Sequence, residues 1–166
     1  MDMVRSLGLI AVIIAITLIF VPSLLHPGKS ERFPAVDYSD YVSGFKTVTG
    51  HSALTPMPAP KGFAANAGAL TGPKAAEHLH IGFATPGAKY AGLEESVAPA
   101  TSFARSVIGA SGAIAIGQVA IDGVAWKVST STRGEYSLRR TFGAVTVIVT
   151  GSATVPQLQS LAASLH

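Results

Sequence analysis

Residues 114–150 read IAIGQVAIDGVAWKVSTSTRGEYSLRRTFGAVTVIVT, and this stretch decides the fold. Apolar residues alternate along it, and Asp122-Gly123 is the strongest short signal of a two-residue hairpin loop. Such a loop pairs Val119 with Trp126, which puts the apolar side chains of both strands on one face. Trp126 is therefore predicted to lie in the core, with a ligand platform as the alternative.

The second half of this stretch predicts another hairpin, because Gly143-Ala144 can form a tight turn. The resulting register places Arg140 on an otherwise apolar face, where its side chain must reach solvent or a carboxylate, or mark an open face. Gly117 interrupts the alternation before the first hairpin and is a natural site for a bulge. Four antiparallel strands are therefore predicted.

The upstream half predicts a helix and then a second hairpin. Asp37 can cap a helix and Gly50 can end it. Residues 78–84 alternate in polarity, Thr85-Pro86-Gly87 can turn, and residues 89–95 can return as a strand. The predicted helix has one apolar face, made by Tyr38, Tyr41, Val42 and Phe45.

Two further helices complete the predicted order. Pro99 can open one before Gly109, and Thr154 can cap the last. The order of helix, two or three strands, helix, four strands and helix indicates an α+β fold. We expect a mainly antiparallel sheet of about six or seven strands with about three packed helices, all within residues 36–166.

A membrane anchor is predicted at the N-terminus, because residues 6–25 (SLGLIAVIIAITLIFVPSLL) contain no charge. A helix of this length spans a bilayer. The alternative is a cleaved signal peptide, but residues 20–27 (FVPSLLHP) lack a small-residue cleavage site. The sequence predicts a signal anchor over residues 1–25 and a linker over 26–35. The residues that represent the predicted span are Ser6, Leu7, Gly8, Ile13, Ile14, Phe20 and Leu25.

The orientation of this anchor follows from its short N-terminal tail, since a first span usually serves as an export signal. We expect a single-pass protein of the cytoplasmic membrane, with residues 36–166 on the extracytoplasmic side. Gly8, Ala11 and Ala15 also form a small-residue face that could pack on other helices of an envelope complex.

Composition excludes several classes of protein. The 166 residues are 48% hydrophobic and only 13% charged, which excludes a highly charged disordered chain. Zero cysteines exclude a disulfide framework, a thiol nucleophile and cysteine-ligated zinc. The net charge is +3, but the basic residues are scattered without interleaved aromatics, so nucleic acid is not an expected partner.

The most suggestive cluster of chemical groups is Glu77-His78-Leu79-His80. In a strand, His78 and His80 project from one face about 7 Å apart, where two imidazoles can share a metal ion. A third ligand is required, and His51 and Glu94 are candidates that the sequence does not place. The alternatives are a polar strand surface, a histidine packed under a helix, or a protonation switch.

Other motifs give no catalytic signature. Asp122 is predicted to be a turn residue. The hydroxyls of residues 96–102 lack a glycine-framed nucleophile elbow, and residues 109–117 (GASGAIAIG) lack the lysine of a phosphate loop. Glu94 and Glu95 point to opposite faces of a strand and so cannot form a carboxylate pair. No catalytic residue, cofactor or resident metal is predicted.

A modest basic patch is predicted around one hairpin, from Lys127, Arg133, Arg139 and Arg140. Facing a membrane, it could meet anionic lipid head groups. The alternative is a solvated strand surface, because Arg139 and Arg140 point in opposite directions.

The chain resembles the actinobacterial single-anchor membrane proteins grouped as domain of unknown function 4245. Residues 80–87 (HIGFATPG) followed by 89–96 (KYAGLEES) are similar to the central block of that family. Phe63 stands where the family suggests tryptophan, and Glu95 where glutamine is more usual. The other similar segments are Asp2-Met3-Val4 with the run to Val21-Pro22, Val36-Asp37-Tyr38, residues 122–126 (DGVAW) and residues 161–165 (LAASL).

This resemblance implies a location and a fold but no activity. Together with the anchor, it favours a membrane-anchored extracytoplasmic binding or accessory domain of the cell envelope. The expected partners are the bilayer, through the N-terminal helix, and an envelope protein or cell-wall component. The alternative is a membrane-tethered hydrolase or metal-binding protein that uses His78 and His80.

Overall fold

The computed structural model describes residues 35–73, 76–109, 114–131 and 134–166. In this part of the chain three helices and seven strands follow one another in the predicted order, so the α+β prediction is confirmed. The helices are α1 (Ser39–Thr49), α2 (Ala100–Ile108) and α3 (Val155–Ala163). The strands are β1 (Ala64–Thr71), β2 (His78–Thr85), β3 (Lys89–Ser96), β4 (Ile114–Ile121), β5 (Val124–Thr130), β6 (Tyr136–Phe142) and β7 (Val145–Gly151).

The seven strands form one antiparallel sheet in the order β1-β2-β3-β7-β6-β5-β4. Two meanders, β1 to β3 and β4 to β7, therefore meet where β3 pairs with β7. Few residues separate successive strands inside each meander, because antiparallel neighbours need only a hairpin connection. The single pairing between the meanders makes β3 and β7 the central strands.

The predicted hairpin registers are confirmed. Val119 lies opposite Trp126, and the loop residues Asp122 and Gly123 have φ angles of 48° and 76°, as a type I′ turn requires. The register of β4 shifts just before Gly117, where the bulge is predicted.

One face of the sheet carries the main core. Alternate residues of β2, β3 and β7 bury their side chains there beneath α1 and α3, and Trp126 is only 2% exposed. Each large apolar side chain buried in this way contributes roughly 1.5–3 kcal/mol. The core includes Phe45, Leu79, Ile81, Phe83, Leu93, Leu138, Val147, Val149, Leu158 and Leu161.

Among the described helices, α2 is the one that packs on the opposite face. Phe103 and Ala104 of α2 form a small apolar cluster with Ile148 of β7. One nine-residue helix is narrower than a seven-stranded sheet. Polar side chains on both sides of it consequently remain accessible, and both candidate sites described below lie there.

Three local predictions can be compared with the structure. Asp37 is not the N-cap of α1, since Tyr38 holds that position and Asp37 Oδ1 instead accepts the backbone N–H of Ser39 at 2.9 Å. Thr154 does cap α3, in a reciprocal capping box with Gln157. Arg140 places its guanidinium carbon 3.9 Å from the centre of the Phe142 ring, which explains how a cation fits that face.

The predicted anchor and span residues, and the predicted linker apart from Ala35, lie outside the described residues and stay predictions. None of the helices described is long and apolar enough to cross a bilayer.

Candidate functional site

Four polar side chains of β2 and β3 form a continuous hydrogen-bonded chain on the α2 side of the sheet. Glu94 lies at its centre. Its Oε2 is 2.6 Å from His78 Nε2, and its Oε1 is 2.7 Å from His80 Nδ1. Tyr90 extends the chain, with its hydroxyl 3.2 Å from His80 Nε2. One carboxylate thus joins two imidazoles, and a phenol contacts one of them.

The β2–β3 hairpin brings these residues together. Its turn sets a register in which His80 lies opposite Glu94 and His78 lies opposite Ser96. Because side chains alternate between faces, both histidines and Glu94 share the α2 side, while Leu79 and Ile81 enter the core. The periodicity that builds the core therefore also builds the polar chain.

Two glycines make room for the Tyr90 ring on this surface. A Cβ added to Gly82 would lie 3.0 Å from Tyr90 Cε2. A Cβ added to Gly92 would lie 2.8 Å from Glu94 Oε1 and 3.0 Å from the Tyr90 hydroxyl. The aromatic ring therefore occupies space that two side chains would otherwise fill, and it stacks beside His80 at a centroid distance of 6.5 Å.

Glu94 carries the negative charge of this hydrogen-bonded chain. Burial alone would raise the pKa of this carboxyl, but hydrogen bonds and charges from His78 and His80 outweigh it, and the pKa lies below its usual value. The hydrogen bond to Glu94 raises the pKa of His80, against the opposing effect of burial. Burial, with the nearby Glu94 charge, raises the pKa of Tyr90 to about 12. The chain therefore favours an ionised Glu94 carboxylate, a more readily protonated His80 imidazole and a neutral Tyr90 phenol.

A cavity of about 340 Å³ opens beside His78, between α2 and the ends of β1 and β3. The His78 ring meets Phe103 edge-on at 5.1 Å, which fixes the imidazole at the cavity wall. The other lining residues are mostly small or hydroxyl-bearing: Thr71, Gly72, Ala76, Ser96, Ala98, Ser102 and Ser106.

The serines of this cavity are bonded to backbone rather than to His78. Ser102 donates to the carbonyl of Pro99 and Ser106 to the carbonyl of Phe103, both at 2.8 Å. Ser96 Oγ accepts the N–H of Ala98 at 3.0 Å. None of these three hydroxyls is hydrogen-bonded to the imidazole, as a serine nucleophile and its base would be.

The structure brings together some, but not all, of the metal-ligand candidates that the sequence predicts. His78, His80 and Glu94 come together, whereas His51 lies exposed in the loop after α1 and is bonded there to Thr49. Among the residues that the structure describes, no group of three or more His, Cys, Asp or Glu side chains is arranged to hold a metal ion. Each carboxylate oxygen of Glu94 instead contacts one ring nitrogen directly.

Sequence reasoning missed Tyr90 as part of the site. The signal was present, since the tight turn after Thr85 places Tyr90 opposite Ala84 and on the face of His80. The position of the Tyr90 ring over Gly82 and Gly92, however, depends on atoms of two strands, and the sequence pattern does not place these atoms.

Glu95 has a different environment, on the core face. Both of its carboxyl oxygens lie 3.0 Å from the backbone nitrogen of Leu54, in the loop after α1. Burial raises the pKa of Glu95 to about 8, although the hydrogen bond from Leu54 opposes this. Adjacent glutamates on one strand thus differ in protonation near neutral pH.

We expect Gly92→Ala to disrupt the polar chain, because the new methyl group would overlap Glu94 Oε1 and the Tyr90 hydroxyl. Overpacking of this kind costs about 1–3 kcal/mol. Denaturant unfolding of the variant measures the loss of stability. In a double-mutant cycle, Tyr90→Phe should recover part of it by removing the overlapping oxygen. Strict additivity of the two substitutions would show that the methyl group does not contact Tyr90.

The fold and site define a class of protein: a small α+β domain with a carboxylate-bridged histidine pair on a partly open sheet face. Residues 1–165 match a family model described as "Protein of unknown function (DUF4245)", and the chain belongs to this family. No curated protein and no solved structure matches the chain.

Proposed function

We propose that this protein is a membrane-anchored extracytoplasmic binding domain of the cell envelope, and that it binds its partner in the cleft beside His78. The uncharged run of residues 6–25 supports the anchor, and the family match over nearly the whole chain is consistent with one conserved architecture. The partner is an envelope protein or a cell-wall component.

The observation that carries the proposal is the preformed polar cleft. His78 is held on one side by Glu94 and on the other by Phe103, so its ring is oriented before any ligand arrives. Its side chain is nevertheless 31% exposed. Sites that are fixed in advance lose less entropy on binding.

The same geometry favours binding over catalysis. A histidine that activates a serine nucleophile is hydrogen-bonded to the serine hydroxyl. The serine hydroxyls of the cleft are those of Ser96, Ser102 and Ser106, and their hydrogen bonds involve backbone atoms. The cleft presents hydroxyls and an imidazole, groups that bind a polar surface or a glycan.

Site-specific photocrosslinking in cells tests this proposal. A benzophenone amino acid is placed at Ser102 or Ser106 of the full-length protein, both exposed positions at the cleft. We expect a discrete envelope partner or cell-wall fragment to be captured at these positions.

Two controls make the result specific. The same crosslinker at Thr47, exposed on α1 across the sheet, should not capture that partner. A chain without residues 36–166 identifies contacts made by the anchor alone. Equal capture from Thr47 and Ser102, or capture by the anchor-only chain, would contradict binding in the cleft.

A second candidate function is a metal-binding protein or hydrolase that uses His78 and His80. It is favoured by one observation, that both imidazoles contact the same carboxylate. Calorimetric titration with Zn²⁺ tests it, with His78→Ala and His80→Ala as controls. Heat of binding that disappears in both variants would support this candidate over the first.

A further inference from the structure

A second cavity lies at the start of α2, over the other half of the sheet. Its volume is about 400 Å³. Lys127 of β5 and Arg139 of β6 project into this region on the α2 side, and Thr101 comes from the first turn of the helix. Its lining comprises Ala100, Thr101, Ala125, Lys127, Arg139, Arg140 and Thr141.

Two of these cations are placed unfavourably with respect to each other. Lys127 and Arg139 are directly opposite in the β5–β6 pairing, and like charges in such positions destabilise a sheet. Within the described part of the chain, the ion pairs are those of Glu94 with the two histidines. Neither Lys127 nor Arg139 has a carboxylate there to neutralise it.

The surroundings add to the positive potential. Arg139 is half-buried, and its Nη1 donates to the carbonyl of Ala100 at 3.2 Å, which fixes the guanidinium beside the start of α2. The first turn of α2 contains no acidic residue and has no side-chain cap, so its free N–H groups point out of the helix start. The start of α2 therefore adds to the positive potential of Lys127 and Arg139, but it does not form an anion site without them.

We propose that Lys127 and Arg139 form an anion site that binds a phosphate group. The planar fork of Arg139 keeps further N–H donors for phosphate oxygens, and Lys127 supplies a second charge. The hydroxyl of Thr101 is an additional donor on the cavity wall. The phosphate is a free phosphate ion or the phosphodiester of an anionic lipid head group. This site is independent of the cleft beside His78.

Arg105 provides a matched control. It carries the same charge and lies exposed in the last turn of α2, and it is not part of the cavity lining. Arg140 is not suitable, because it borders the cavity although its guanidinium lies over the Phe142 ring on the core side. Arg139→Gln and Arg105→Gln therefore change the net charge equally, but only Arg139→Gln alters the cavity lining.

The test uses the full-length chain in a zwitterionic detergent, titrated with inorganic phosphate in one arm and with short-chain phosphatidylglycerol in the other. Short-chain phosphatidylcholine and chloride at equal ionic strength are the references. Binding is followed by backbone amide chemical shifts of residues 100–102 and by the thermal midpoint, which a native-state ligand raises.

We expect saturable binding in at least one arm. Arg139→Gln and Lys127→Gln should each weaken it about tenfold, as the loss of one charge-assisted contact implies, whereas Arg105→Gln should change it less than about twofold. Binding of phosphate alone identifies a free phosphate ion, and binding of phosphatidylglycerol alone identifies a lipid head group. Thermal midpoints without ligand verify that each variant folds.

Two results would overturn the proposal. One is the absence of saturable binding in both arms above the chloride reference. The other is an equal loss of binding in the Arg139 and Arg105 variants, which would indicate general electrostatic attraction.

Discussion

Glu94→Ala should lower the free energy of unfolding by about 3 kcal/mol, because it leaves two imidazoles without their shared acceptor in a partly buried site. It should also lower the pKa of His80, since the hydrogen bond to Glu94 is the main cause of its elevation. Denaturant unfolding measures the first effect, and NMR titration of the imidazole measures the second.

The contribution of Glu94 to the free energy of unfolding should depend on pH in one direction. The pKa of Glu94 is lower in the folded chain than in the unfolded chain. The carboxylate therefore adds stability above its unfolded pKa of about 4.3, and this stability is lost as the pH falls. Glu94→Ala should remove that acid-side loss.

Glu94→Gln is the conservative comparison. Its amide oxygen can still accept from one histidine, so it should recover part of the stability but not the elevated pKa of His80. A Glu94→Ala variant as stable as the wild type, with an unchanged His80 titration, would show that the polar chain does not form.

Much of this site could be predicted from local pattern. Alternation along residues 78–84 places both histidines on one face, and the same rule separates Glu94 from Glu95. The pairing of His80 with Glu94 is not predicted, because it also requires the exact register that the turn after Thr85 sets. The alternation itself depends only on neighbours in sequence.

The rest depends on contacts between distant segments. Leu54 donates to Glu95 across 41 residues, and no sequence period encodes how the loop after α1 lies on the sheet. Lys127 lies opposite Arg139 in the β5–β6 register. The sequence between these strands carries no recognised two-residue turn signal, so it does not predict that register. The basic patch could therefore be predicted by composition, but the like-charge pair could not.

Glu94 and Glu95 differ in ionisation because their hydrogen-bond partners differ. Glu94 contacts two imidazoles, whose hydrogen bonds and charges stabilise its ionised form. Glu95 has one neutral backbone donor, which cannot offset the loss of hydration. Glu95 is accordingly the residue whose removal changes the pH profile most.

We expect Glu95→Gln to make the protein more stable than the wild type at alkaline pH. The folded pKa of Glu95 is about 8, well above its unfolded value. Its contribution to stability is therefore complete below the unfolded pKa, and it is lost as the pH rises toward and through 8. At roughly 1.4 kcal/mol per pKa unit, this loss is on the order of 5 kcal/mol.

Denaturant unfolding across the range from about pH 5 to about pH 9 measures the effect. The two proteins should differ by less than about 1 kcal/mol at the acid end, because glutamine replaces a neutral acid of the same shape. At the alkaline end the glutamine variant avoids a buried unpaired charge and should be several kcal/mol more stable. Glu94→Gln removes the same charge one residue away and should leave most of the alkaline loss in place. Parallel pH profiles for the wild type and Glu95→Gln would mean that Glu95 is ionised in the native core, with a partner that neutralises it.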